Sequence, residues 1–151
     1  LYSRAVPYDY GLMENADVVV LEIVERNIPE LLKYAPLLSA PRRECVSIPE
    51  VPGTRVSLGV RQAEGGLVIY GAAEGEGLVT VRLAGPADAC FEPFPLLSDE
   101  DAAALPERYG NGFTMYLPSG VLPAGEYAVS VVIEKKGETV SSSALAQVTM
   151  P

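Results

Sequence analysis

The chain has 151 residues, 48% of them hydrophobic and 21% charged, with a formal net charge of −9 at pH 7 and no histidine. That length holds one average domain, or one small domain plus a piece of another. Without histidine, a Ser-His-Asp or Cys-His mechanism housed in this chain is excluded, and so is a His-based zinc site. Two cysteines cannot make an all-thiolate zinc site, and the excess of negative charge argues against nucleic acid, whose phosphates are bound by Lys and Arg. No apolar run reaches the roughly 20 residues of a membrane helix, so no membrane span is expected.

The chain opens on Leu1, which reads as a processed or excised piece of a longer protein. Tyr8 to Asn15 reads as a short helix or turn interrupted by Gly11. Val18 to Val24 (VVVLEIV) is a β-branched, nearly unbroken apolar run, the pattern of a strand buried on both faces of a parallel sheet. Asn27 can cap a following helix, with Pro29 and Glu30 in its first turn and Leu31, Leu32 and Tyr34 as its apolar stripe. One such strand cannot make a parallel sheet alone, so this helix-strand-helix unit reads as the remnant of a larger α/β domain. Ala35 to Arg43, with two prolines, reads as a linker, and the boundary falls between residues 1–44 and 45–151.

Beyond it the period becomes two. Val56, Leu58 and Val60 alternate with Ser57, Gly59 and Arg61; Val79, Val81 and Leu83 with Thr80 and Arg82; Phe113, Met115 and Leu117 with Thr114 and Tyr116. Tyr127, Val129, Val131 and Ile133 line one face of the longest strand, and Lys135-Lys136-Gly137-Glu138 turns it back into Thr139 to Ser143, with Ala144 to Val148 closing the chain. With Leu67 to Ala72 and the Phe91 to Phe94 region this makes seven or eight short strands. That spacing predicts a mostly β chain built as an antiparallel β-sandwich of immunoglobulin-like type. Ser98 with Asp101 starts a helical turn over Ser98 to Leu105. Leu122-Pro123-Ala124-Gly125-Glu126-Tyr127 resembles the entry to a late strand of bacterial immunoglobulin-like domains, where the Tyr127 hydroxyl would anchor a corner. Cys45 and Cys90 are even in number and can pair, but two lone cysteines in a chain this long read first as buried free thiols.

Ser3 to Leu32 (SRAVPYDY…NADVVVLEIVERNIPELL) resembles the last strand-helix unit of SGNH-hydrolase-like proteins. The nearest group is the branch of the alginate O-acetyltransferases and their DHHW relatives. The residues that carry the likeness are Tyr8-Asp9, Ala16-Asp17-Val18-Val19 and Glu22-Ile23-Val24-Glu25-Arg26. In that family the catalytic Ser, Asp and His lie upstream of this segment, and none can be placed here. Ser3 lacks a G-D-S context and any base to activate it, so the chain itself is expected to be non-enzymatic. The resemblance implies an extracellular or cell-envelope protein of acyl-transferring or esterase-like parentage.

Several constellations are candidates for a site. Glu22, Glu25 and Arg26 end the apolar run, where α/β domains place functional residues; they border a lost active site or form an ion pair that fixes the strand-helix turn. Asp17 reads as a strand-entry or helix-end residue. Arg55, Arg61 and Arg82 alternate outward and would make a basic strip for an anionic sugar, or an ordinary solvated face. Tyr70, Tyr109 and Tyr116 would offer stacking faces to a glycan, or sit partly buried. Asp99, Glu100 and Asp101 read as first-turn acids rather than a Ca²⁺ site, and Glu74 and Glu76 as a solvated hairpin tip. No cofactor and no metal is called for.

The expected role is a non-catalytic accessory or binding domain at the C-terminus of an SGNH-like acyltransferase or esterase acting on surface polysaccharide. Its partners would be a cell-surface glycan and the upstream SGNH-like domain. The rivals are part of an active O-acyltransferase with its catalytic residues upstream, and an adhesin-like protein-interaction module. An apolar strand without its sheet recruits a partner, so Val18 to Val24 would join an edge of the β module or form a homodimer.

Overall fold

The computed structural model describes residues 39–45, 55–75, 77–135 and 138–150. The proposed helix-strand-helix unit, with Val18 to Val24 and the helix after Asn27, lies outside the described residues. Within them the protein is mostly β: eight strands and one short helix. The strands are β1 (Arg42–Arg43), β2 (Val56–Ala63), β3 (Gly66–Ala73), β4 (Leu78–Ala84), β5 (Asp88–Phe91), β6 (Asn111–Pro118), β7 (Gly125–Lys135) and β8 (Glu138–Met150). The helix, α1, spans Asp99–Ala104 between β5 and β6.

The strands form two antiparallel sheets, one ordered β1-β5-β4-β7-β8 and one ordered β2-β3-β6. The period-two pattern explains both. Leu67, Ile69 and Ala73 of β3, Phe113, Met115 and Leu117 of β6, Val81 and Leu83 of β4, and Val129, Val131 and Ile133 of β7 belong to one buried cluster. Each strand therefore turns one face to a common core, and the residues between them face outward. β7 runs into β8 through the pair Lys135↔Glu138, as the Lys-Lys-Gly-Glu turn predicts. β8 is one strand of 13 residues rather than two pieces. The Phe91 to Phe94 region divides into the end of β5 and an isolated bridge from Phe94 to Thr114.

Two expectations are corrected. Cys45 and Cys90 form a disulfide, with Cα atoms 5.3 Å apart, instead of remaining free thiols. Pairing of β1 with β5 brings them together, because Arg43 stands opposite Cys90. For the same reason residues 39–44 are not simply a linker. Arg42 and Arg43 form the edge strand of the larger sheet, the Glu92 amide donates to the Pro41 carbonyl at 3.0 Å, and Ala40 is buried.

The outer face of the β2-β3-β6 sheet is covered too. All eight residues of β3 are buried, and Val68, Tyr70, Ala72, Leu105 and Tyr116 make a second apolar cluster with Leu97 packed against it. The Tyr70 ring lies across Gly59, its partner on β2: a β-carbon at position 59 would sit 2.3 Å from Tyr70 Cζ. α1 starts on Ser98, whose backbone is extended and whose Oγ accepts from the Asp101 amide at 3.0 Å. Acids fill its first turn, and Arg108 Nε donates to the Ala102 carbonyl at 3.0 Å near its C-terminal end.

Candidate functional site

The three predicted arginines do not form a strip. Arg61 lies on β2 and Arg82 on β4, in different sheets, and Arg55 precedes β2. Each meets a carboxylate. Arg61 donates from Nε and a terminal nitrogen to Asp101, at 2.8 and 3.4 Å. Arg82 donates to Asp88 at 2.7 Å, and Arg55 stands 3.9 Å from Glu74. Hydrogen bonding to Asp101 holds the Arg61 guanidinium above its ordinary pKa, against the opposing effect of burial. The Arg82 Nε is buried with no partner among the described residues.

The tyrosines separate in the same way. Tyr70 and Tyr116 are only 7% and 8% exposed beneath the cover of α1 and its flanks, so neither presents a ring to solvent. The Tyr116 hydroxyl donates to the Glu64 carbonyl at 2.9 Å, closing the Glu64-Gly65 turn between β2 and β3. Tyr109, in the connection from α1 to β6, stays half-buried, and the Arg55 guanidinium lies over its ring, 6.0 Å from the centroid. Of the predicted residues, Arg55 and Tyr109 thus meet at the surface, while Tyr70 and Tyr116 share the buried cluster. Glu22, Glu25 and Arg26 lie outside the described residues.

Beside Tyr109 a groove of about 340 Å³ runs along β2, lined by Val56, Ser57 and Leu58, by Pro106, Glu107 and Tyr109, and by Ala146 of β8. Val56, Leu58, Val60 and Ala146 are only partly buried where they pack on the core, whereas the inward residues of β3, β6 and β7 are at most 4% exposed. The groove marks the side on which the core is least closed. Ser57 is 5% exposed and its Oγ has no hydrogen-bond partner among the described residues. Periodicity alone could not single out Ser57, a small polar residue in an outward position like many others. A second cavity of about 290 Å³ is lined by Leu78, Pro93, Pro95 and Phe113, and its carboxylate, Glu92, is already 3.6 Å from Arg43.

Among the described residues no group of His, Cys, Asp or Glu could hold a metal ion, and no helix is long and apolar enough to cross a membrane. Comparison with protein-family models, curated proteins and solved structures finds no match to this chain.

Proposed function

We propose that this chain is the C-terminal part of an SGNH-like envelope protein whose β module is a non-catalytic, glycan-binding accessory domain of immunoglobulin-like sandwich form. The sandwich reading draws on the strand orders β2-β3-β6 and β5-β4-β7-β8, with inward residues of both sheets in one cluster. It also draws on Tyr127, which is 1% exposed at the start of β7 and donates its hydroxyl to the Pro123 carbonyl at 2.9 Å. A tyrosine bonding back to backbone a few residues upstream is the corner of immunoglobulin-type folds. The Cys45–Cys90 disulfide agrees with an extracellular or envelope location, since such bonds persist in oxidising compartments. SGNH parentage rests on the Ser3 to Leu32 resemblance, and the upstream domain would be the module's covalent partner.

The observation that carries the binding reading is the groove at Tyr109. It pairs a half-buried aromatic ring with the Glu107 carboxylate and two apolar residues of β2, the mixed lining by which proteins hold sugars and other small ligands. A glycan array probed with the full chain tests it: retention of defined oligosaccharides is expected. A blank array would move the module to the protein-contact class.

A further inference from the structure

We infer that β2 is an interaction edge whose partner is β2 of a second copy of this chain, paired antiparallel about a two-fold axis at Gly59. A strand edge templates pairing with another chain unless something guards it. The edge strands of the two sheets are β1, β8, β2 and β6. β1 has two residues. β6 is covered: Phe94 and Thr114 exchange two backbone bonds at 2.9 Å, and the Ala40 amide donates to the Tyr116 carbonyl at 3.3 Å. β8 breaks register against β7 between Val129 and Val131, and such irregularities bend an edge away from flat pairing. β2 differs from all three. It pairs with β3 over all eight residues without a shift, carries no Pro and no Lys, and has its one charged side chain, Arg61, tied to Asp101. No described residue pairs with its other side.

The Glu74 amide donates to the Arg55 carbonyl at 2.9 Å, so the odd residues of β2 bond to β3. The even ones, Val56, Leu58, Val60 and Gln62, turn their N–H and C=O groups to the open edge. Val56, Leu58 and Val60 are also the residues left partly buried where they pack on the core. An antiparallel copy must match even residues with even ones. Centred on Leu58, the pairing sets Arg55 opposite the partner's Arg61; centred on Val60, it runs Val56 into the partner's Glu64-Gly65 turn. Centred on Gly59, it uses the strand from 56 to 62: Val56 faces the partner's Gln62, Leu58 faces the partner's Val60, and two glycines meet on the axis. In that register no like charges are opposed within the strands, and the partner's exposed Glu64 comes beside Arg55. Glu74 and Glu107 stand at the same end, and so does Arg108, whose Nε bonds the Ala102 carbonyl. Two guanidiniums thus balance two carboxylates there, and Arg55, well exposed and 3.9 Å from Glu74, is placed to take the incoming one. Val56, Ser57 and Leu58 line the Tyr109 groove, so a sugar in the groove and a second copy on the edge exclude each other. The two readings can fail separately.

The test is analytical ultracentrifugation of the full chain over a dilution series, with hydrogen exchange read at both ends of the series. A monomer–dimer equilibrium is expected. Dilution should release the amides of Leu58, Val60 and Gln62, while those of Gly59 and Arg61, bonded to β3, stay protected. Val60→Lys sets a charge on the inward side of the edge and should weaken the dimer about tenfold or more. Because that change can also loosen the core, exposed charges supply a second reading. Glu64→Arg and Arg55→Glu should each weaken the dimer severalfold, and the two together should return it to within about twofold of the parent. A chain that stays monomeric up to about 1 mM, a dimer whose even-numbered β2 amides exchange as in the monomer, or a charge swap without rescue overturns the inference. Protection of those amides in the monomer also overturns it, by assigning the edge to another part of the same chain.

Discussion

Arg61 and Asp101 join β2 to α1 through two parallel hydrogen bonds, at 2.8 and 3.4 Å, with the Arg61 side chain 39% exposed and that of Asp101 only 4%. The asymmetry sets the consequence of removing either partner. Arg61→Ala leaves a buried carboxylate without its counter-charge, and we expect a loss of about 2 kcal/mol, below the value for a fully buried pair because solvent screens the guanidinium. Urea denaturation would measure it, and Arg61→Ala/Asp101→Ala should cost less than the sum of the single changes. A loss under about 0.5 kcal/mol for Arg61→Ala would mean that water replaces the guanidinium freely. The raised Arg61 pKa has a definite sign. Stability linked to it is fully present below the unfolded value and is lost only as pH rises through the folded one. For a guanidinium both lie in strong alkali, so Arg61 itself adds no pH dependence from acid to neutral.

α1 has six residues, too few to be stable alone, so its place over β3 depends on its cap and its side-chain ties. Ser98→Ala removes the bond to the Asp101 amide and should cost about 1 kcal/mol, with Ser98→Asp retaining most of it. Because α1 and its flanks shelter Tyr70 and Tyr116, the alanine variant should also show tyrosine fluorescence more open to acrylamide quenching. Unchanged quenching and midpoint would show that Leu97, Leu105 and the Arg61–Asp101 pair hold the cover unaided. The helix and its cap are legible in the sequence because Ser98, the acids that follow and Leu105 are local signals. Likewise Val56-Leu58-Val60 and Phe113-Met115-Leu117 disclose strands and their inward faces. What α1 lies upon is not legible. Alternation places Tyr70, Tyr116 and Arg61 on an outward face, but whether that face meets water or another element is settled by contacts between residues about 40 apart, such as Arg61 with Asp101. Two of three tyrosines and one of three arginines in the expected binding set thus serve the cover, while Arg55 and Tyr109 meet across a distance no periodicity encodes.

At the scale of the whole molecule, the Cys45–Cys90 bond ties the segment that carries β1 to β5. β1 is two residues long and pairs with β5 through Arg42↔Phe91 and Arg43↔Cys90, a short ladder for an edge strand. Arg42 stacks on Phe91 at 5.8 Å, and Arg43 reaches Glu92 at 3.6 Å, contacts exposed enough to add little. The disulfide spans a sequence separation of 45, for which loop-closure entropy gives about 4 kcal/mol at most, and natural bonds deliver about 2–4 kcal/mol. Cys45→Ser/Cys90→Ser should therefore lower unfolding stability by about 2–4 kcal/mol, whereas the β4-β7 and β7-β8 ladders, which do not use the bond, persist in the folded state. Hydrogen exchange separates the local effect from the global one. In the double variant the amide of Arg43, which faces Cys90, should exchange far faster than those of β4 and β7, because two ladder positions cannot hold an edge strand against fraying. Retained protection at Arg43, with stability within about 0.5 kcal/mol of the parent, would show that packing of Ala40 and the Arg42–Phe91 stack suffices.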